Sequence, residues 1–370
     1  MAMAMVMDHM AKKLNPIGLK EFLIRLSMNY TLKVAEIRKE TEDTVTLCFK
    51  QPGLKKIKYL AGQYLTLIFR INGRRYIRPY SFSSCPGVDP YLEVTIKRVE
   101  NGLVSNHIND MVNVGDSIEA MPPMGDFVFE VKDNLTDVYF WGVGSGITPL
   151  ISIIKYILKS TDNVKVHLNY GNRNHETTIF KDQIEALKIQ YSERLIIRHF
   201  HTKLVLDESN PYLIQGRIDQ VKALSILEAQ LSPENCAHYI CGPAGLKESV
   251  KNAIYSKFGA LINVFSEDFE LIKDPKDFED VHTQRISLTF EGTAHTLEVV
   301  KGKSILEAAL NADLELPYSC QTGNCSTCKG KIVSGSAKMI GLSKEREDLA
   351  AGEFLLCCTH PLTENVHIEI

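Results

Sequence analysis

Five of the chain's nine cysteines fall between Cys320 and its last residue, Ile370. Three are spaced Cys320-x4-Cys325-x2-Cys328, and the other two are neighbours, Cys357 and Cys358. No other feature constrains the fold as strongly. Thiolates are soft metal ligands, and three on one short loop must wrap whatever they hold. The intervening Gly323, Asn324, Ser326 and Thr327 are small, so backbone N–H groups can turn inward toward a negatively charged centre. A disulfide framework would be the other use for so many cysteines, but the start of the chain lacks the pattern of an export signal. Structural zinc sites favour paired Cys-x2-Cys modules, which a run of three plus one distant cysteine does not supply. Either Cys357 or Cys358 is a candidate for the fourth ligand.

A chain of 370 residues predicts two or three domains. Its formal net charge of −3 lacks the basic face of a general nucleic-acid binder. No apolar run approaches the 18 or so residues of a membrane span. Residues 1–29 stand apart. Met1 to Met10 reads as a leader, and Leu14 to Met28 places Leu14, Ile17, Phe22, Leu23 and Leu26 roughly at helical spacing. The plain expectation is a short helix packed on the body; the sharper one is a peripheral docking helix for a partner or a membrane surface. With free thiols and no export signal, the expected location is cytoplasmic.

Texture divides the rest. Over 30–132, segments such as Thr44–Lys50, Tyr64–Ile71 and Tyr91–Arg98 alternate or are rich in β-branched residues. Pro52-Gly53, Asn72-Gly73, Pro86-Gly87, Asn101-Gly102 and Gly115-Asp116 punctuate them, predicting a compact antiparallel β-barrel. Over 133–269, expected strands at Val138–Trp141, Val164–Tyr170, Leu195–Phe200 and Ala237–Cys241 alternate with helices at Leu150–Leu158, Phe180–Tyr191, Ile218–Leu231 and Ala244–Phe258. That order predicts an α/β unit with a parallel sheet. Residues 270–282 are charged and read as a flexible linker. Over 283–370 a hairpin (Arg285–Phe290, Thr296–Val300) and a helix (Ser304–Ala312, with a Ser304/Glu307 capping box) precede the cysteines, an α+β unit.

Three motif sets carry the chemistry. Cys320-x4-Cys325-x2-Cys328 resembles the ligand loop of plant-type 2Fe–2S ferredoxins. Their last ligand commonly stands four residues before a proline, with a leucine two residues before it; Leu355 and Pro361 match, so the resemblance implies Cys357 and leaves Cys358 a neighbour. Arg78-Pro79-Tyr80-Ser81 resembles the flavin motif of the ferredoxin–NADP reductase superfamily. In that likeness Arg78 neutralises the flavin pyrophosphate, Tyr80 stacks on the isoalloxazine and Ser81 hydrogen-bonds near N5. Thr95-Ile96-Lys97 resembles the strand beside the flavin. Gly102-Leu103-Val104-Ser105 resembles a second pyrophosphate loop, which favours FAD over FMN. Gly142-Val143-Gly144-Ser145-Gly146-Ile147-Thr148-Pro149 lies between a strand and a helix and resembles the superfamily's nicotinamide-dinucleotide turn. Cys241-Gly242-Pro243 resembles its Cys-Gly-Pro motif, whose cysteine positions the nicotinamide. Glu267 and Phe269 resemble an element whose aromatic covers the flavin. Arg173 can meet a 2′-phosphate, but no Ser-Arg pair follows the next strand, so NADH and NADPH both stay open.

Taken together, residues 30–370 resemble iron–sulfur flavoprotein reductases such as the phenylacetyl-CoA epoxidase and 3-ketosteroid 9α-hydroxylase reductase components. The resemblance implies an FAD barrel, an NAD(P) domain and a β-grasp-like ferredoxin domain. It implies electron flow from NAD(P)H through FAD and the cluster to a partner oxygenase or hydroxylase. The alternatives are another acceptor, such as a ferredoxin or hybrid-cluster protein, and a redox sensor.

Overall fold

The computed structural model describes residues 29–53, 56–130, 132, 134–203, 212–228 and 232–370. The helix expected over Leu14–Met28 lies outside the described residues. Among the described residues, no helix is long and apolar enough to cross a membrane.

The first sheet contains β1 (Tyr30–Thr41), β2 (Thr44–Phe49), β3 (Tyr64–Ile71), β4 (Arg74–Ser81), β5 (Leu92–Lys97) and β6 (Ser117–Ala120), in the order β4-β3-β6-β1-β2-β5. Every pairing is antiparallel. Phe82, just past β4, bridges Val94 of β5 and closes the sheet on itself. Asn72 and Gly73 both take positive φ in the tight β3–β4 turn, the backbone twist a two-residue hairpin favours. Leu32, Leu47, Leu65, Leu67, Phe82 and Val94 fill the interior, and helix α1 (Leu103–Met111) caps it with Val104 and Ile108.

The second sheet is parallel throughout: β7 (Asp137–Val143), β8 (Lys165–Asn172), β9 (Leu195–His201), β10 (Leu213–Gln215), β11 (Cys236–Cys241) and β12 (Val264–Glu267), in the order β10-β9-β8-β7-β11-β12. Helices α2 (Ile147–Ser160) and α3 (Lys181–Gln190) enter one apolar cluster with Phe140, Val166 and Leu168. Helices α4 (Gln220–Leu227) and α5 (Ala244–Phe258) enter another with Trp141 and Phe200. Both faces are thus covered, which is why these strands read as apolar runs without alternation. Strand order reverses at β7, between β8 and β11, so the crevice at the carboxyl ends of these strands is where such folds bind ligands.

The third unit contains β13 (Gln284–Phe290), β14 (Thr293–Val299), α6 (Ile305–Asn311), β15 (Lys329–Ser334), β16 (Ala337–Met339), β17 (Glu353–Leu355), β18 (Thr359–Pro361) and β19 (His367–Glu369). Its mixed sheet runs β14-β13-β19-β15-β17. The capping box of α6 forms as the sequence predicts: the Glu307 amide donates to Ser304 Oγ at 3.2 Å, and the Ser304 amide donates to Glu307 at 2.8 Å. The fold class expected from the sequence, barrel plus parallel α/β sheet plus α+β unit, is the one observed.

Two features depart from expectation. The charged segment after Glu270 is not a free tether. Val281 is buried, Leu271 packs against the third core, and Phe278 meets the His360 ring edge-on at 5.0 Å. A few apolar residues among many charged ones were enough to lay it along the third unit. That unit also docks on the barrel. Ile68 and Ile77 of the barrel belong to its apolar core. β4 is an edge strand whose free N–H and C=O groups need partners. Tyr318 Oη accepts the Ile77 N–H at 3.1 Å, and Gln321 donates to the Ile77 carbonyl at 3.1 Å. Thr66 and Ser319 share a buried hydroxyl contact at 2.8 Å.

Candidate active site

One cleft of about 1190 Å³ opens where the three units meet. Its barrel wall carries Arg78, Pro79, Tyr80 and Ser81 from the end of β4, Thr95, Ile96 and Lys97 from β5, and Gly102, Val104 and Ser105 at the start of α1. Phe269, half exposed, closes another side. The first amides of α1 have no intrahelical acceptor, so they offer N–H groups to an anion. Ser105 is used differently from expectation: its hydroxyl accepts the Val99 N–H at 3.1 Å and donates to the Gly102 carbonyl at 3.3 Å. It therefore shapes the loop, and the α1 amides are left as the donors. Arg78 likewise folds back on its own strand, with Nη1 donating to the Ile77 carbonyl at 2.8 Å, while still lining the cleft. An aromatic face, a guanidinium, a helix N-terminus and this volume suit a flavin dinucleotide.

The nicotinamide motif sits at the carboxyl ends of the parallel strands. Gly144 to Gly146 make a single tight turn into α2. Gly144 has φ +55°, and its carbonyl accepts Tyr170 Oη at 3.0 Å. Thr148 Oγ1 donates to the Ser145 carbonyl at 3.0 Å, and Pro149 lies buried in the first turn. Gly142 pairs in register with Cys241 across β7 and β11, and Gly242 (φ +159°) follows. A Cβ on Gly146 would stand 2.1 Å from the Cys241 carbonyl oxygen, so the two motifs touch backbone to backbone. Of this set Ser145 and Thr148 line the large cleft, whereas Gly142, Gly144, Gly146, Pro149, Cys241, Gly242 and Pro243 do not. Arg173 is exposed at the end of β8, and its carbonyl accepts the Lys203 amide at 2.7 Å.

Cys241 is fully buried, and desolvation, then the Glu267 and Asp268 carboxylates, push its thiol well above the ordinary range. Burial of this kind favours the protonated thiol over the thiolate. The register partner of Cys241 on β12 is Glu267, a residue whose chemical role the sequence did not reveal. Ser81 Oγ donates to Glu267 Oε2 at 3.3 Å. Desolvation raises the Glu267 carboxyl to about 8 against the Ser81 hydrogen bond, helped by Asp126 and Asp268. Ser81, Glu267 and Cys241 thus link the barrel motif to the nicotinamide motif. The signal for Glu267 was only its position two residues before Phe269.

On the third side, Cys320 and Cys325 line the cleft. The Cys320 sulfur accepts the Thr322 and Cys325 amides at 3.4 and 3.3 Å, the N–H approach that the small loop residues suggested. Among the described residues, no three His, Cys, Asp or Glu side chains converge as on one ion. The thiols instead group two by two: Cys320 contacts Cys325, and Cys328 contacts Cys357. Two thiolates at each of two corners suit a two-iron centre. Cys358 also lies against Cys357, but its sulfur donates to the Leu355 carbonyl at 3.3 Å.

Comparison with known proteins agrees with this geometry. Family models match as an oxidoreductase FAD-binding domain over residues 31–129, an oxidoreductase NAD-binding domain over 140–252 and a 2Fe-2S iron-sulfur cluster binding domain over 288–362. The chain is 31% identical over 364 residues to the ferredoxin reductase component of 3-ketosteroid-9-alpha-monooxygenase from Rhodococcus rhodochrous, covering 93% of this chain and 97% of that protein. It is 31% identical over 354 residues to one component of the 1,2-phenylacetyl-CoA epoxidase from Escherichia coli K12, covering 92% and 97%. Phthalate dioxygenase reductase shares the fold, with a TM-score of 0.65 at 24% identity over 92% of this chain and 98% of that one. The chain belongs to this family of iron–sulfur flavoprotein reductase components, NAD(P)H-dependent oxidoreductases that use FAD and a 2Fe–2S cluster.

Proposed function

We propose that the protein is the reductase of an oxygenase or hydroxylase system and that the cleft between its three units is the electron path. The reading rests on one observation: Ser145 and Thr148, Tyr80 and Ser81, and Cys320 and Cys325 line the same cavity. When bound, FAD takes two electrons as a hydride and releases them singly, and the cluster carries one at a time. The chain supplies position and electrostatics. Tyr80 and Phe269 give flat surfaces for the flavin ring, while Arg78, Lys97 and the start of α1 meet its phosphates. Gly142, Gly144, Gly146, Thr148, Pro149, Gly242 and Pro243 hold the dinucleotide turn, with Arg173 beside the ribose. The neutral Cys241 thiol and Ser81, held by Glu267, orient the nicotinamide and flavin toward each other. Cys320, Cys325, Cys328 and Cys357 hold the cluster.

The functional units are 30–132, 133–269 and 283–370, joined by 270–282. The protein works in the cytoplasm. The test is anaerobic rapid mixing with NADH or NADPH, followed by steady-state reduction of cytochrome c. Fast flavin reduction followed by cluster reduction is expected. Flavin reduction too slow to support cytochrome c turnover would favour a sensor and overturn the reading.

A further inference from the structure

Beyond the cysteines, Arg346 bonds to the cluster loop at two points, Gly323 and Ser326. We infer that Arg346 is a positioning residue for the 2Fe–2S cluster: it clasps the loop, and its charge holds the cluster's reduction potential up. This rests on the reading that Cys320, Cys325, Cys328 and Cys357 hold the cluster.

Residues 342–348 form a strap over that loop. Gly323 sits at the bend with φ +72°, and a Cβ there would stand 2.3 Å from Leu342 Cδ2. Arg346 Nη1 donates to the Gly323 carbonyl. Its Nη2 donates to Ser326 Oγ at 2.7 Å. Nε and Nη2 grip the two oxygens of Asp348, each at 2.7 Å. Ser326 Oγ in turn donates to Asp348 at 3.1 Å. Only a planar fork with five donors closes such a set. Two residues earlier, Lys344 pairs with Asp126 of the barrel at 2.7 Å, so the strap also ties the cluster loop to the cleft.

The Arg346 side chain is only 7% exposed, whereas that of Asp348 is 53% exposed. The guanidinium lies close enough to Cys325 and Cys320 to interact with their charge. Each electron adds one negative charge to the cluster, and a fixed cation in a poorly solvated site favours the more negative state. Asp348 opposes this from a more screened position.

The two charges therefore predict opposite shifts, which a merely structural clasp does not. Full-length wild type, Arg346→Gln, Arg346→Lys and Asp348→Asn are titrated redox-potentiometrically with the cluster followed by electron paramagnetic resonance, alongside iron content. Arg346→Gln is expected to make cluster reduction about tenfold less favourable, a downward shift of about 59 mV for one electron. Asp348→Asn is expected to shift it upward. Arg346→Lys is expected to keep the potential nearer wild type yet lose iron faster to a chelator. Shifts of one sign in Arg346→Gln and Asp348→Asn, or no shift in either, overturn the inference. Should Arg346→Gln hold no cluster, Asp348→Asn decides alone: a potential above wild type supports the inference, and one at or below it overturns it. A wild type without a 2Fe–2S signal would instead sink the four-cysteine reading beneath it.

Discussion

Replacing Gly146 with alanine tests how tightly the nicotinamide turn is built against the Cys-Gly-Pro motif. The added Cβ would lie 2.1 Å from the Cys241 carbonyl oxygen, 2.6 Å from its carbonyl carbon and 3.1 Å from the Gly242 nitrogen. All three are backbone atoms at the ends of paired strands, so no side chain can swing aside. Relief requires the α2 turn to move off β11, and overpacking of this kind costs about 1–3 kcal/mol. If that displacement falls on nicotinamide alignment, kcat/KM for NAD(P)H drops roughly 5- to 150-fold, at 1.36 kcal/mol per decade. The assay is NAD(P)H-dependent ferricyanide reduction, with FAD and iron content measured on the same sample. Both contents should stay at wild-type level, because the barrel and third unit are untouched. Gly245→Ala is the control: it lies in the first turn of α5, and an added Cβ meets nothing within 4 Å. Wild-type kcat/KM for Gly146→Ala, or an equal loss for Gly245→Ala, would refute the argument.

Glu267→Gln should remove a pH dependence. The folded protein keeps a proton on Glu267 up to about 8, whereas an ordinary carboxyl loses it near 4.5. Its contribution to stability is thus complete below about 4.5 and lost as pH rises toward 8. Melting midpoints of the flavin-free variant across that window should fall less steeply than wild type; parallel curves would count against the shift. Cys357→Ser should lose the visible and paramagnetic signature of the cluster, while Cys358→Ser keeps it, since Cys358 already donates to Leu355; the reverse pattern would reassign the ligand. Tyr318→Phe leaves the buried Ile77 N–H without its partner, at a cost of about 1–3 kcal/mol. Limited proteolysis should then release the third unit more readily with flavin reduction unchanged, and unaltered cleavage would contradict a specific docking contact.

Much of this protein is local, and local features are legible in a sequence. β3 and α5 begin and end where alternation and apolar spacing place them, and the α6 capping box needs only Ser304 and Glu307 three residues apart. The cysteine spacing, the glycine-rich turn and the flavin run are likewise short and contiguous, because each loop must close on a cofactor by itself. The short edge strands β10 and β12 carried no comparable pattern; three or four residues give too few positions to establish a period.

Which residues meet is settled by packing over long sequence separations. Thr66 and Ser319, or Tyr318 and the Ile77 amide, are ordinary polar pairs separated by 253 and 241 positions. Nothing in either neighbourhood announces the other. The charged stretch after Glu270 follows the same logic, since its average composition says linker while a few side chains find apolar contacts. Ser81, Cys241 and Glu267 come together because β11 and β12 pair in register and the barrel packs over their ends. The raised Glu267 carboxyl and the sheltered Arg346 charge then follow, because both depend on the surrounding dielectric. Short contiguous motifs define which chemistry each unit can hold; packing brings the three to one shared cleft.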